Sequence, residues 1–126
     1  MKIHCEISIG ELFDKVSILN VKSKMINDNR LKDVKLEQQL LAIKMDSINC
    51  TEKEFFLQKL NHIHEKMWKI NDLKREKAMK DELDEEFIKI SVEEDVYNDQ
   101  RFEVKREINE FYKSEIFEQK GYDKYK

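Results

Sequence analysis

The chain has 126 residues, with 24 basic and 27 acidic side chains and a formal net charge of -3. That near balance excludes a general nucleic-acid binder, which needs a basic excess on one face, and every basic run here is interrupted by acids. Proline is absent and glycine occurs only at Gly10 and Gly121, so the interval between them reads as one all-α domain spanning 1–126.

The first seven positions alternate Ile3, Cys5 and Ile7 with polar neighbours, the pattern of a short extended segment that could pair across a dimer. They lack the apolar stretch of a signal peptide, and no later run reaches membrane-spanning length. A cytoplasmic protein without a membrane partner is expected. Cys5 and Cys50 then read as free thiols of a reducing compartment, a disulfide between them being the less favoured alternative.

Ser8, with Glu11 three positions on, predicts a capping box that opens a first helix ending near Ile26. Leu12, Val16, Leu19 and Ile26 form its apolar stripe. Asn27–Asp28–Asn29 is a compact turn, and a second helix runs from about Arg30 to Met45. So short a connection makes the two an antiparallel hairpin. Thr51 with Glu54 predicts another capping box, starting a third helix that extends to about Lys80, with Trp68 as a core anchor. Asp81–Asp84 holds the turn into a fourth helix, from Glu85 to about Lys113, and Tyr122 and Tyr125 fall in a short tail.

The fold expected is therefore a long antiparallel helical hairpin plus a shorter one, resembling a four-helix bundle. The two long helices would each span roughly 43 Å, more than the short pair can cover. The uncovered apolar strip, suited to a coiled-coil-like partner helix, predicts a homodimer.

The stretch VYNDQRFEVKREIN, Val96–Asn109, poses the main question. Its apolar period runs through Tyr97, Val104 and Ile108, yet Asn98, Arg101, Lys105 and Asn109 share a face beside that seam. Two explanations apply beside plain solvation of the face. Arg101 could pair with a carboxylate on another helix, with Glu11, Asp14 and Asp72 available, fixing helix register as polar core positions do in coiled coils. Alternatively the face could bind a phosphate or carboxylate. Glu11 and Lys15 have favourable i,i+4 order on the first helix, and Asp14 and Lys15 could join the cluster.

Metal chemistry has weaker support. Asp95 and Asp99, near Glu94 and Asn98, resemble the carboxylate spacing of Mg²⁺-dependent helical nucleotide pyrophosphohydrolases. Such sites need acids from another helix, and the nearest, Glu85 and Glu86, precede them on the same one. His62 and His64 point to different faces, and His4, Cys5 and Cys50 lack finger spacing, so no metal and no cofactor is expected. A nucleophilic Cys5 would have no orienting group on an extended terminus.

Four segments together resemble a small bacterial family of unknown function: GELFDKVSILNVK (Gly10–Lys22), WKIND (Trp68–Asp72), VYNDQRFEVKREIN and the tail SEIFEQKGY (Ser114–Tyr122). The likeness covers nearly the whole chain. It implies a shared polar set of Glu11, Asp14, Lys15, Lys22, Asp72, Asn98, Asp99, Arg101, Lys105 and Asn109, spread over the first, third and fourth helices. Asn71 stands where the pattern has an acid and His64 where it has asparagine, so neither inherits a role. The family implies no reaction. It suggests a genomic setting near surface-polysaccharide assembly.

Together these features describe a non-enzymatic, dimeric interaction or accessory module with a polar cluster of Asp14, Lys15, Asp72, Asn98, Arg101 and Lys105. The alternative is an enzyme or sensor of a phosphorylated small molecule, such as a nucleotide or nucleotide sugar. There Arg101 and Lys105 would grip the anion, and Asp95 or Asp99 would carry Mg²⁺.

Overall fold

The computed structural model describes residues 1–49 and 51–123. Four helices dominate: α1 (Ile9–Met25), α2 (Leu31–Asp46), α3 (Lys53–Met79) and α4 (Glu85–Phe111). Among the described residues there is no strand, and positions 1–7 are irregular and exposed. Cys5 is a free, exposed thiol; Cys50 and Tyr125 lie outside the described residues.

Ion pairs and side-chain bonds fix the helix directions. Lys59–Glu107, Lys74–Glu94 and Lys77–Glu86 run down one interface with rising numbers on α3 and falling numbers on α4, so that pair is antiparallel. Asp14–Arg101 and Glu11–Lys105 make α1 antiparallel to α4. Ser17 bonds Asn61 and Lys24 pairs with Glu65, so α1 runs parallel to α3. Close backbone packing joins α1 to each of the other three helices, whereas α2 packs on α1 alone. The short helix α1 is thus the hub of the bundle.

Sequence explains most of this placement. Ser8 caps α1, its Oγ accepting from the Glu11 N–H at 3.0 Å. The box is half formed, because the Glu11 carboxylate reaches Lys105 instead of turning back. Gly10 permits a close crossing: a Cβ there would stand 2.5 Å from the Lys105 carbonyl oxygen and 2.9 Å from Asn109 Oδ1. Phe13, Leu60 and Ile108 have no exposure and centre the core, with the Phe13 ring packed against Phe56 and Tyr112. Asp84 caps α4 through the Phe87 N–H. The Lys77 side chain, 8% exposed, gathers Glu82, Asp84 and Glu86 at the hairpin turn.

Two local expectations differ from the structure. Thr51 does not cap α3; the N-cap is Glu52, in a left-handed conformation at φ 60° with no side-chain bond. The Thr51 carbonyl instead accepts the Tyr112 hydroxyl, a tertiary tie to the end of α4 that local capping rules do not foresee. Trp68 sits half-buried outside the central cluster, to which the neighbouring Met67 contributes instead.

Beyond Glu65, α3 continues roughly another 20 Å, with the start of α4 beside it. This arm exposes Leu73, Met79, Leu83, Ile88, Val92 and Val96. No helix among the described residues is long and apolar enough to cross a membrane.

Candidate functional site

The centre of the polar cluster is Asp14, a carboxylate with no solvent exposure on the first turns of α1. A buried charge is costly unless it is paired and hydrogen-bonded. Arg101 supplies both: Nε donates to Oδ1 at 2.8 Å and Nη2 to Oδ2 at 2.5 Å, the two-pronged geometry that lysine cannot give. His64 Nε2 stands 3.0 Å from Oδ1, close but not aligned as a hydrogen bond. Burial alone pushes the Asp14 carboxyl up. The hydrogen bonds and positive charge of Arg101, with His64, outweigh it and hold the group far below the usual carboxylate range. The Asp14 hydrogen bonds in turn push Arg101 above its ordinary value.

A second layer joins α1 and α4 to the tail. Lys105 Nζ lies 2.6 Å from Glu11 and 2.7 Å from Glu118. Burial lowers the affinity of this ammonium for its proton, and the two carboxylates more than reverse that, leaving its pKa raised. Glu118 also accepts the Ser8 hydroxyl. At the start of α1, three of the N–H groups that a helix leaves unsatisfied find side chains. Ile9 N–H donates to Ser114, Gly10 N–H to Asn109 Oδ1 at 2.7 Å, and Glu11 N–H to Ser8. Placing Glu11 and Glu118 here also sets negative charge at the positive end of the helix dipole.

Of the residues expected from the sequence, Glu11, Asp14, Asn98, Arg101, Lys105 and Asn109 do converge, with Asn98 Oδ1 accepting from Arg101 Nη1 at 3.4 Å. Asp99 is buried at the edge, near Lys120 of the tail at 3.8 Å. Lys15 projects into solvent with only a 3.7 Å contact to Glu11. Asp72 is exposed on the arm of α3, and no ion pair ties it to the cluster. Its carboxylate lies beyond the end of α1, so helix length excludes it.

Sequence reasoning missed His64, Ser17, Asn61 and Glu118. Ser17 Oγ donates to Asn61 Oδ1 at 2.7 Å and lies 2.8 Å from His64 Nδ1. Serine, histidine and aspartate therefore succeed one another as in a hydrolase triad, with the ring nitrogens exchanged. Ser17 has no exposure, so this sequence of contacts lies inside the α1–α3 packing. A hydroxyl at i+3 from Asp14 on a buried face was the available signal for Ser17; Glu118 was visible only as part of the tail motif.

Metal placement finds no support among the described residues, where no group of three His, Cys, Asp or Glu side chains could hold an ion. Asp95 lies exposed on α4, and with Asp99 it borders an open depression shared with Tyr122 and Asp123. No family model, curated protein or solved structure matches this chain.

Proposed function

We propose that the protein is a non-catalytic helical interaction module that works as a homodimer, its polar cluster serving as a register lock. One observation carries the dimer. Between α3 and α4 lies a groove of about 530 Å³, lined by Phe55, Ile63 and Val104 and flanked by charges of opposite sign. Ile63 and Val104 form its floor and belong to the buried core, while Phe55 and the charged rim residues face outward. Lys59 and His62 line the α3 rim, with Lys66 exposed one helical turn beyond, while Glu103 and Glu107 line the α4 rim. Phe55 is 53% exposed there, and Leu73, Val92 and Val96 continue the apolar strip into the arm.

A two-fold axis sets the α3 rim of one copy against the α4 rim of its partner. Lys59 and Glu107, paired at 3.2 Å within one chain, then exchange partners across the axis, and the apolar strips meet between them. The lock supports the same reading. Asp14 takes the Arg101 fork and Glu11 a donor of Lys105, so α1 and α4 are held in one register. The proposal extends to a cytoplasmic setting and to kinship with the bacterial family its motifs resemble, supported by six motif positions gathering in one cluster.

Light scattering coupled to size exclusion tests the dimer. The wild-type chain is expected to elute as a dimer at micromolar concentration. Reversing Lys59 and Lys66 to Glu, or Glu103 and Glu107 to Lys, should each give monomers, and mixing the two variants should restore a heterodimer. A monomeric wild-type chain overturns the proposal, and dimers that survive both reversals remove it from this face.

A further inference from the structure

On the far side of Arg101 from Asp14, Arg101 and Lys105 of α4 meet Lys120 of the tail around a pocket of about 130 Å³, completed by Asn98 and Phe102. Three cations thus line one small pocket in a chain of net charge -3. Their donors are not exhausted. Arg101 commits Nε and Nη2 to Asp14, but Nη1 has only the 3.4 Å contact to Asn98. Lys120 Nζ reaches the Asn98 carbonyl at 3.5 Å and Asp99 at 3.8 Å, both longer than a strong charge-assisted bond of about 2.7–2.9 Å. The Phe102 and Tyr122 rings hold this ammonium, with centroids 5.4 and 5.3 Å away. The volume exceeds that of a few waters and suits a single tetrahedral oxyanion.

Glu118 supplies the negative charge that opposes an incoming anion at this pocket. Its carboxylate, 33% exposed on an irregular segment, holds Lys105 and accepts the Ser8 hydroxyl. With Glu118 in place, Glu11, Asp14, Asp99 and Glu118 face three cations. When its side chain swings outward, Lys105 regains a donor and the local excess of negative charge disappears, while Lys120 stays on the tail backbone. We propose that this pocket is a binding site for a phosphate group and that Glu118 is an internal anion competing for it. This inference is independent of the dimer.

Isothermal titration of the full chain tests it, with inorganic phosphate and glycerol 3-phosphate as probes. Glu118→Gln is expected to bind phosphate about tenfold more tightly than wild type, since it removes one competing charge. Adding Lys120→Ala to that variant should cost about tenfold, and Lys120→Arg should retain the affinity. Circular dichroism melts establish that each variant is folded. Tighter glycerol 3-phosphate than inorganic phosphate identifies an esterified ligand whose remainder leaves the pocket; equal binding identifies the phosphate group alone. Failure of Glu118→Gln to bind either probe overturns the site, as does binding that ignores Lys120→Ala.

Discussion

Asp14 and Arg101 show how one pair of side chains constrains a whole interface. The guanidinium fork needs both carboxylate oxygens, so any slide of α1 along α4 breaks two hydrogen bonds and strands a buried charge. Arg101→Ala should therefore cost about 3 kcal/mol in urea unfolding, at the lower end for a broken buried pair because His64 remains beside the acid. Arg101→Lys, which keeps the charge and loses the fork, should recover only part. An unchanged denaturation midpoint in Arg101→Ala would show that the lock has no energetic weight. The sign of the pH dependence follows from the same pair. The Asp14 pKa is depressed in the folded state, so its stabilisation is complete above the unfolded value of about 3.9 and is lost as pH falls below it. Asp14→Asn should lower stability at neutral pH and flatten the acid limb of a stability–pH curve. An acid limb as steep as wild type would assign the transition to other carboxylates.

For the helices, capping and spacing were legible wherever the controlling contacts were local. Ser8 and Asp84 cap as their neighbours dictate, and Asn27–Asp28–Asn29 turns the chain through the Asp28–Arg30 bonds. Thr51 does not cap, and its carbonyl takes the Tyr112 hydroxyl from the distant end of α4, a contact with no local signal. Gly10 belongs to this scale as well. Its missing side chain sets the α1–α4 separation that lets Asp14 and Glu11 reach Arg101 and Lys105. Gly10→Ala should force the helices apart and cost about 1–3 kcal/mol by overpacking, despite alanine's better helix propensity. Thermal melting reads this directly, and a stabilised Gly10→Ala protein would mean that the crossing can relax. The hairpin turn offers a parallel case. Lys77→Met removes the cation shared by Glu82, Asp84 and Glu86, so amide exchange at residues 80–87 should quicken while the Phe13 core stays protected.

Across the molecule, a short hub helix covers only one end of a long hairpin, so local stability should fall along the hairpin away from α1. Hydrogen exchange should be slowest around Leu60 and Ile108 and fastest toward Met79 and Leu83 in dilute protein. Raising the concentration should protect residues beside the α3–α4 groove and leave the α2 surface unchanged if the dimer forms as proposed. Exchange that slows evenly along both long helices with no dilution dependence would mean the arm is stable alone.

What this sequence determined unaided is the set of helices, their approximate ends, the two-hairpin connectivity and the presence of a polar face on α4. Each follows from spacing within a few residues: the 3.6-residue apolar period, caps, and the near absence of glycine and proline. The partners of that polar face required the fold. Asp14 and Asp72 were equal candidates on paper, and only the length and direction of α1 bring one to Arg101 and leave the other in water. His64, Ser17 and Glu118 joined the cluster for the same reason, since contacts such as Ser17–His64 and Ser8–Glu118, 47 and 110 positions apart, arise from tertiary packing and carry no local periodic signature.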